Sequence, residues 1–91
     1  MATSFYLVHN GFTPDKYAAT LAALEAAGAG AAKGRTLHLA LESGGEIQVF
    51  DIWESQEDFE AFGQTLVPIL TEQGVTLNPP MVAPVHNMIQ G

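Results

Sequence analysis

The chain contains no cysteine, only three lysine or arginine residues, and no long uninterrupted apolar run. Without cysteine there is no disulfide, no thiolate nucleophile and no sulfur-ligated metal. Three basic residues against ten Asp or Glu leave a net charge of -7, which argues against a nucleic-acid backbone or an anionic membrane as partner. No apolar stretch approaches the ~18–20 residues of a membrane span, and no basic segment leads into an apolar run as in a signal peptide. The expectation is a cytoplasmic protein. Charged residues are also scarce, at 14%, whereas hydrophobic types reach 47%; soluble domains usually carry ~25% charge. That apolar surplus needs cover, and a homodimer interface supplies it, with a ligand cavity as a second, compatible outlet. Ninety-one residues are enough for one domain, residues 1–91.

The most informative stretch runs from Glu46 to Phe62. Its first half, Glu46-Ile47-Gln48-Val49-Phe50-Asp51-Ile52-Trp53, is rich in β-branched and aromatic residues and predicts a strand. Ser55 then caps a helix, with Asp58 three residues on and Phe59 and Phe62 at helical spacing. Upstream, Phe5 to His9 predicts the first strand, ended by Asn10-Gly11. Thr13-Pro14 opens a helix, with Phe12 and Tyr17 at the positions of a hydrophobic staple, and Gly28-Ala29-Gly30 stops it. Arg35 to Glu42 predicts the second strand, joined to the third by the hairpin turn Ser43-Gly44-Gly45. Gly63 and Pro68 predict a kink in the second helix, or two short helices. Met81 to Ile89 predicts the last strand, with Pro84 marking an edge position or a bulge.

The order is β-α-β-β-α-β, the ferredoxin-like arrangement of a four-stranded antiparallel sheet with both helices on one face. Alternation places Val49, Asp51 and Trp53 on one side of the third strand and Phe50 and Ile52 on the other. The row Leu37, Leu39, Leu41 suits the helix side, which sends His38 to the uncovered face together with Asp51. Asp51 is the first candidate for chemistry, because a carboxylate among apolar strand residues needs a partner. With His38 across the hairpin, Asp51 orients the imidazole as a general base or holds a polar ligand; the plainer role is a hydrogen-bonded pair that fixes strand register. Trp53 offers a flat wall and an indole donor for an aromatic ligand, or simple packing at the strand end. His86 and Tyr6 are further candidates for ligand contact. His38, Asp51 and His86 form the one trio worth weighing as metal ligands, yet their spacing matches no local ligand motif, so neither metal nor cofactor is expected.

The segments Val49 to Phe62, Leu66-Val67-Pro68-Ile69-Leu70 and Pro84-Val85-His86-Asn87-Met88-Ile89 resemble the small dimeric α/β-barrel proteins of the antibiotic-biosynthesis-monooxygenase type, in a mostly uncharacterised bacterial subgroup. The resemblance implies ferredoxin-like protomers packed sheet against sheet as a barrel, with a cleft for a small neutral or aromatic molecule. It implies a cofactor-independent monooxygenase acting on an aromatic or polyketide-like substrate, with a non-catalytic homodimer or an isomerase or cyclase as alternatives. Trp53 corresponds to a tryptophan at the end of the third strand in many members. The asparagine and arginine of phenol-oxidising members have no convincing match in Asn87 or Arg35. Haem-degrading members use a helical histidine as axial ligand, and neither helix here carries one.

Overall fold

A computed structural model describes residues 2–91. Six elements follow in chain order: β1 (Thr3–Val8), α1 (Pro14–Ala26), β2 (Arg35–Ser43), β3 (Glu46–Trp53), α2 (Gln56–Glu72) and β4 (Met81–Pro84). The strands pair antiparallel in the order β2-β3-β1-β4. This is the ferredoxin-like topology expected from the order of elements. The barrel is not: the sheet is open, with β2 and β4 as two free edges. Closure requires the outer strands to pair with one another, and here β2 and β4 lie at opposite ends of the sheet.

Local chemistry sets the element ends. Thr13 accepts from the Lys16 backbone N–H at 3.4 Å, and Pro14 occupies the first helical position of α1. Phe12 meets Tyr17 edge-on, with ring centroids 5.8 Å apart, closing the expected staple. Ser55 accepts from the Asp58 backbone N–H at 3.1 Å and starts α2. That helix runs unbroken through Gly63 and Pro68, which overturns the alternative of two short helices. Pro68 forfeits one backbone hydrogen bond, but Leu66 and Leu70 on the same helix pack into the core and hold the turns on either side. Gly74, at φ +78°, ends α2: its N–H reaches Thr71 O at 3.0 Å and the Val75 N–H reaches Leu70 O at 3.1 Å, seating Val75 against the core.

The core joins Leu7, Ile47 and Val49 of the sheet to Phe12, Leu70 and Val75, with Tyr17 and Phe59 packed on its border. Phe5 of β1 stacks on Phe59 of α2 at 3.8 Å, so the odd residues of β1 face the helices. Asp51 pairs with Phe5 and Val49 with Leu7, which puts Val49, Asp51 and Trp53 on that covered face as well. This reverses the assignment made from the leucine row. His38 pairs with Asp51 across the hairpin and faces the helices, whereas Leu39 and Leu41 are 46% and 48% exposed on the open face. An irregularity between Arg35 and Leu37 shifts the β2 register there and frees the Thr36 hydroxyl to donate to Ile52 O at 3.2 Å.

β4 is shorter than expected and ends at Pro84. It does lie at a sheet edge, where a proline costs no ladder bond. The following residues, Val85 to Ile89, line a groove on the open face with Leu37, Phe50 and Ile52. Among the described residues no helix is long and apolar enough to cross a membrane.

Gly34 leads into β2 at φ +85°, and its carbonyl accepts from the Glu54 N–H at 2.7 Å. A Cβ there would overlap the Asp58 carboxylate. Gly34→Ala is expected to destabilise the fold by about 1–3 kcal/mol, read as a lower urea midpoint with unchanged slope; an unchanged midpoint would show that the β2 entry relaxes freely.

Candidate functional site

The site begins with a buried carboxylate. Asp51 is 3% exposed, and both its oxygens are engaged. Oδ1 lies 2.6 Å from His38 Nδ1, and Oδ2 accepts from the Trp53 indole N–H at 3.3 Å. Asp51 and Trp53 are two residues apart on one strand, so the pleat alone brings them to the same face. His38 comes from the neighbouring strand as the direct cross-strand partner of Asp51. On its other side, His38 Nε2 lies 2.7 Å from the Tyr17 hydroxyl on α1, with the two rings 7° from parallel.

These contacts define a proton order. With a carboxylate at Asp51 and a neutral imidazole at His38, Nδ1–H donates to Asp51 and Nε2 accepts from the Tyr17 O–H. The result is a Tyr17–His38–Asp51 relay reaching from a helix to the sheet. Burial is the main influence on the Tyr17 phenol and pushes its pKa up; Arg35 pulls the opposite way and Asp51 adds to the rise. Tyr17 therefore stays protonated and donates at neutral pH.

A cavity of about 40 Å³ lies between the helices and the sheet, lined by Tyr17, His38, Asp51 and Arg35 among apolar residues that include Leu7 and Leu24. That volume holds a few waters. The Arg35 guanidinium lies over the rings of Phe62, at 5.5 Å, and Trp53, at 6.0 Å. Among the described residues it makes no ion pair with a carboxylate. His9 also lines the cavity, and burial lowers its pKa.

The residues singled out in the sequence divide into two groups. His38 and Asp51 come together as expected, but under the helices. Trp53 is fully buried, packed against Phe59 and Phe62, and does not line the cavity; it holds Asp51. Tyr6 lies on the open face and its hydroxyl donates to Gln48. His86 lies in the open-face groove, so the sheet separates it from His38. The metal trio is thereby dissolved, and among the described residues no group of three or more His, Asp or Glu gathers at metal-binding distance. Tyr17, Arg35 and His9 were missed as site residues. Tyr17, weighed as a phenolic donor to a ligand, was assigned to the staple, although a tyrosine there carries a hydroxyl that needs a partner.

The depressed His9 pKa fixes a direction of pH dependence. The unfolded chain takes up a proton near the ordinary value of 6.5 while the folded ring resists it, so this stabilisation is full above that pH and is lost on acidification. Urea midpoints at pH 7.5 and 5.0 are expected to show a larger fall for the wild type than for His9→Gln. An equal fall in both would assign the acid sensitivity elsewhere.

No protein-family model matches the sequence, and no curated protein sequence matches it. Solved structures do. A protein of unknown function from Nitrosomonas europaea is 21% identical, with a TM-score of 0.56 over 99% of this chain and 90% of its own. A "putative Antibiotic biosynthesis monooxygenase" from Chloroflexus aurantiacus is 14% identical, with a TM-score of 0.58 over 98% of this chain and 95% of its own. Rv0793 from Mycobacterium tuberculosis is 19% identical, with a TM-score of 0.51 and the same coverages of 98% and 95%. At these identities the likeness is one of fold: the chain shares its whole-length architecture with small ferredoxin-like proteins, one of them bearing a monooxygenase name.

Proposed function

We propose that this protein binds a small, weakly polar aromatic molecule bearing an ionisable hydroxyl, and that the Tyr17–His38–Asp51 relay removes the hydroxyl proton. The observation that carries the reading is a continuous hydrogen-bonded chain from a buried carboxylate to a phenol at an apolar cavity. The ligand O–H donates to the Tyr17 oxygen, Tyr17 passes its own proton to His38 Nε2, and Asp51 stabilises the resulting imidazolium. Arg35, free of a carboxylate partner, compensates the ligand oxyanion. An electron-rich phenolate of this kind reacts with dioxygen: one oxygen atom is inserted at a ring carbon to give a quinone, and the other leaves as water. The name of the Chloroflexus structure is consistent with this chemistry.

The catalytic reading and the alternative of a non-catalytic binding module both have to accommodate the size of the cavity. The cavity, at about 40 Å³, is smaller than a substituted ring requires. Phe62 borders both this cavity and an outer groove of about 360 Å³ between the α1–β2 connection and α2, and on either reading a ring enters by displacing it. Oxygen uptake with a panel of phenols and quinols on metal-free protein decides between the readings. Turnover is expected to fall about 10²–10⁴-fold in His38→Ala and Asp51→Asn with folding intact. Saturable binding without turnover would select the binding module, and neither binding nor turnover, even in Phe62→Ala, would reject both.

The open face supports a homodimer. Leu39 and Leu41 are half-exposed there beside Phe50 and Ile52, whereas the acidic run Glu54, Glu57, Asp58 and Glu60 follows β3 onto α2, on the opposite side of the sheet. Two copies packed through their open faces keep their negative charge on outer surfaces, away from the contact. Sedimentation equilibrium at micromolar concentration is expected to give twice the 9.7 kDa of one chain, with Leu39→Glu shifting it to monomer. A wild-type monomer would exclude this assembly.

A further inference from the structure

We propose that His9 is a second polar anchor of the cavity: its Nε2–H donates a hydrogen bond to an acceptor oxygen, such as a ketone carbonyl, on the ligand whose hydroxyl meets Tyr17. The proposal rests on the relay reading and narrows its ligand class to hydroxyaryl carbonyl compounds.

The tautomer of His9 is dictated by its neighbour. Nδ1 accepts from the Asn78 backbone N–H at 3.0 Å, so a neutral ring must carry its proton on Nε2. Asn78 is itself pinned, its side-chain amide donating to Val8 O and to Asn10 Oδ1, both at 2.8 Å. The backbones of Asn10 and Thr76 bond reciprocally at 3.0 and 2.9 Å beside it. The ring is thus held from behind by a braced loop. Burial keeps it neutral at pH 7.

Nε2–H has no protein hydrogen-bond partner among the described residues, and as no fully buried side-chain polar atom there lacks one, it is reachable by solvent; the residue is 8% exposed and borders the cavity. Arg35 is assigned to the ligand oxyanion, and the remaining polar groups there are committed to one another or to the backbone. Tyr17, His38 and Asp51 bond one another, and the Thr20 hydroxyl donates to Lys16 O while accepting from Gln73 Nε2. A preorganised neutral donor without a protein partner selects a ligand with a matching acceptor, because a ligand lacking one displaces water from that donor without replacing its hydrogen bond.

The test compares 4-hydroxyacetophenone with 4-ethylphenol, which differ in the carbonyl. In the wild type, long-range ¹H–¹⁵N correlation of the histidine rings is expected to show His9 protonated at Nε2, and that nitrogen to shift with the ketone but not with the ethylphenol. The ratio of the two affinities is expected to fall about tenfold in His9→Phe; using the ratio cancels the greater acidity of the ketone at the relay. An Nδ1–H tautomer, a silent Nε2, or an unchanged ratio in folded His9→Phe would overturn the proposal. If that variant does not fold, the wild-type ring shifts decide. Binding of 4-ethylphenol that depends on Tyr17 and His38, with no gain from the carbonyl, would sink the His9 anchor and leave the relay standing. Binding of neither phenol would reject both.

Discussion

A carboxylate taken out of water is the constraint around which this structure is arranged. Burying Asp51 without partners would cost several kcal/mol, more than a small domain can spare. The fold answers with one donor for each oxygen, the His38 imidazole from β2 and the Trp53 indole from its own strand. Each donor then needs fixing. Trp53 is wedged against Phe59 and Phe62 under Arg35, and His38 is pinned from the far side by Tyr17. The chain of contacts therefore ties an edge strand and both helices to one side chain. The same chain of contacts forms the relay.

Much of this was legible because it is local. The order of elements, both helix caps, the Phe12–Tyr17 staple and the Ser43-Gly44-Gly45 hairpin depend on residues a few positions apart. The His38–Asp51 contact was legible for a related reason: a tight hairpin fixes register, and register makes the two residues cross-strand neighbours. Which face they occupy was not legible. Period-two alternation assigns residues to two sides but does not say which side the helices cover. The leucine row of β2 was as apolar as any core row, so hydrophobicity pointed the wrong way. The need of a buried carboxylate for enclosed partners was the better signal.

The other misreadings share a cause, which is dependence on contacts distant in sequence. His86 was placed beside His38 by extending β4 to Ile89, but pairing with β1 stops at Pro84 and the tail passes over the open face. The barrel was carried by family likeness, whereas closure depends on strand edges that here lie at opposite ends of the sheet. Pro68 was read as a break, yet the packing of Leu66 and Leu70 outweighs one lost backbone bond. Arg35 and His9 were missed because only the assembled fold brings the start of β2 and the end of β1 to the same cavity.

The charge state of the cavity follows from how its groups are buried. Tyr17 is held as a neutral phenol and His9 as a neutral imidazole, because burial strips hydration from a charge on either. Asp51 is met by two donors, and the Arg35 guanidinium lies over two aromatic faces. The lining thus sets an acidic and a basic side chain beside the neutral groups of Tyr17, His9 and Thr20. On the proposed reading, moving a proton from a ligand through Tyr17 to His38 creates a cation beside Asp51 and an anion in the cavity with Arg35. The new charges meet opposite charges already in place, so little reorganisation opposes the transfer. That preorganisation separates this arrangement from an ordinary buried Asp–His pair, which would need neither the phenol at the cavity nor an arginine without a carboxylate.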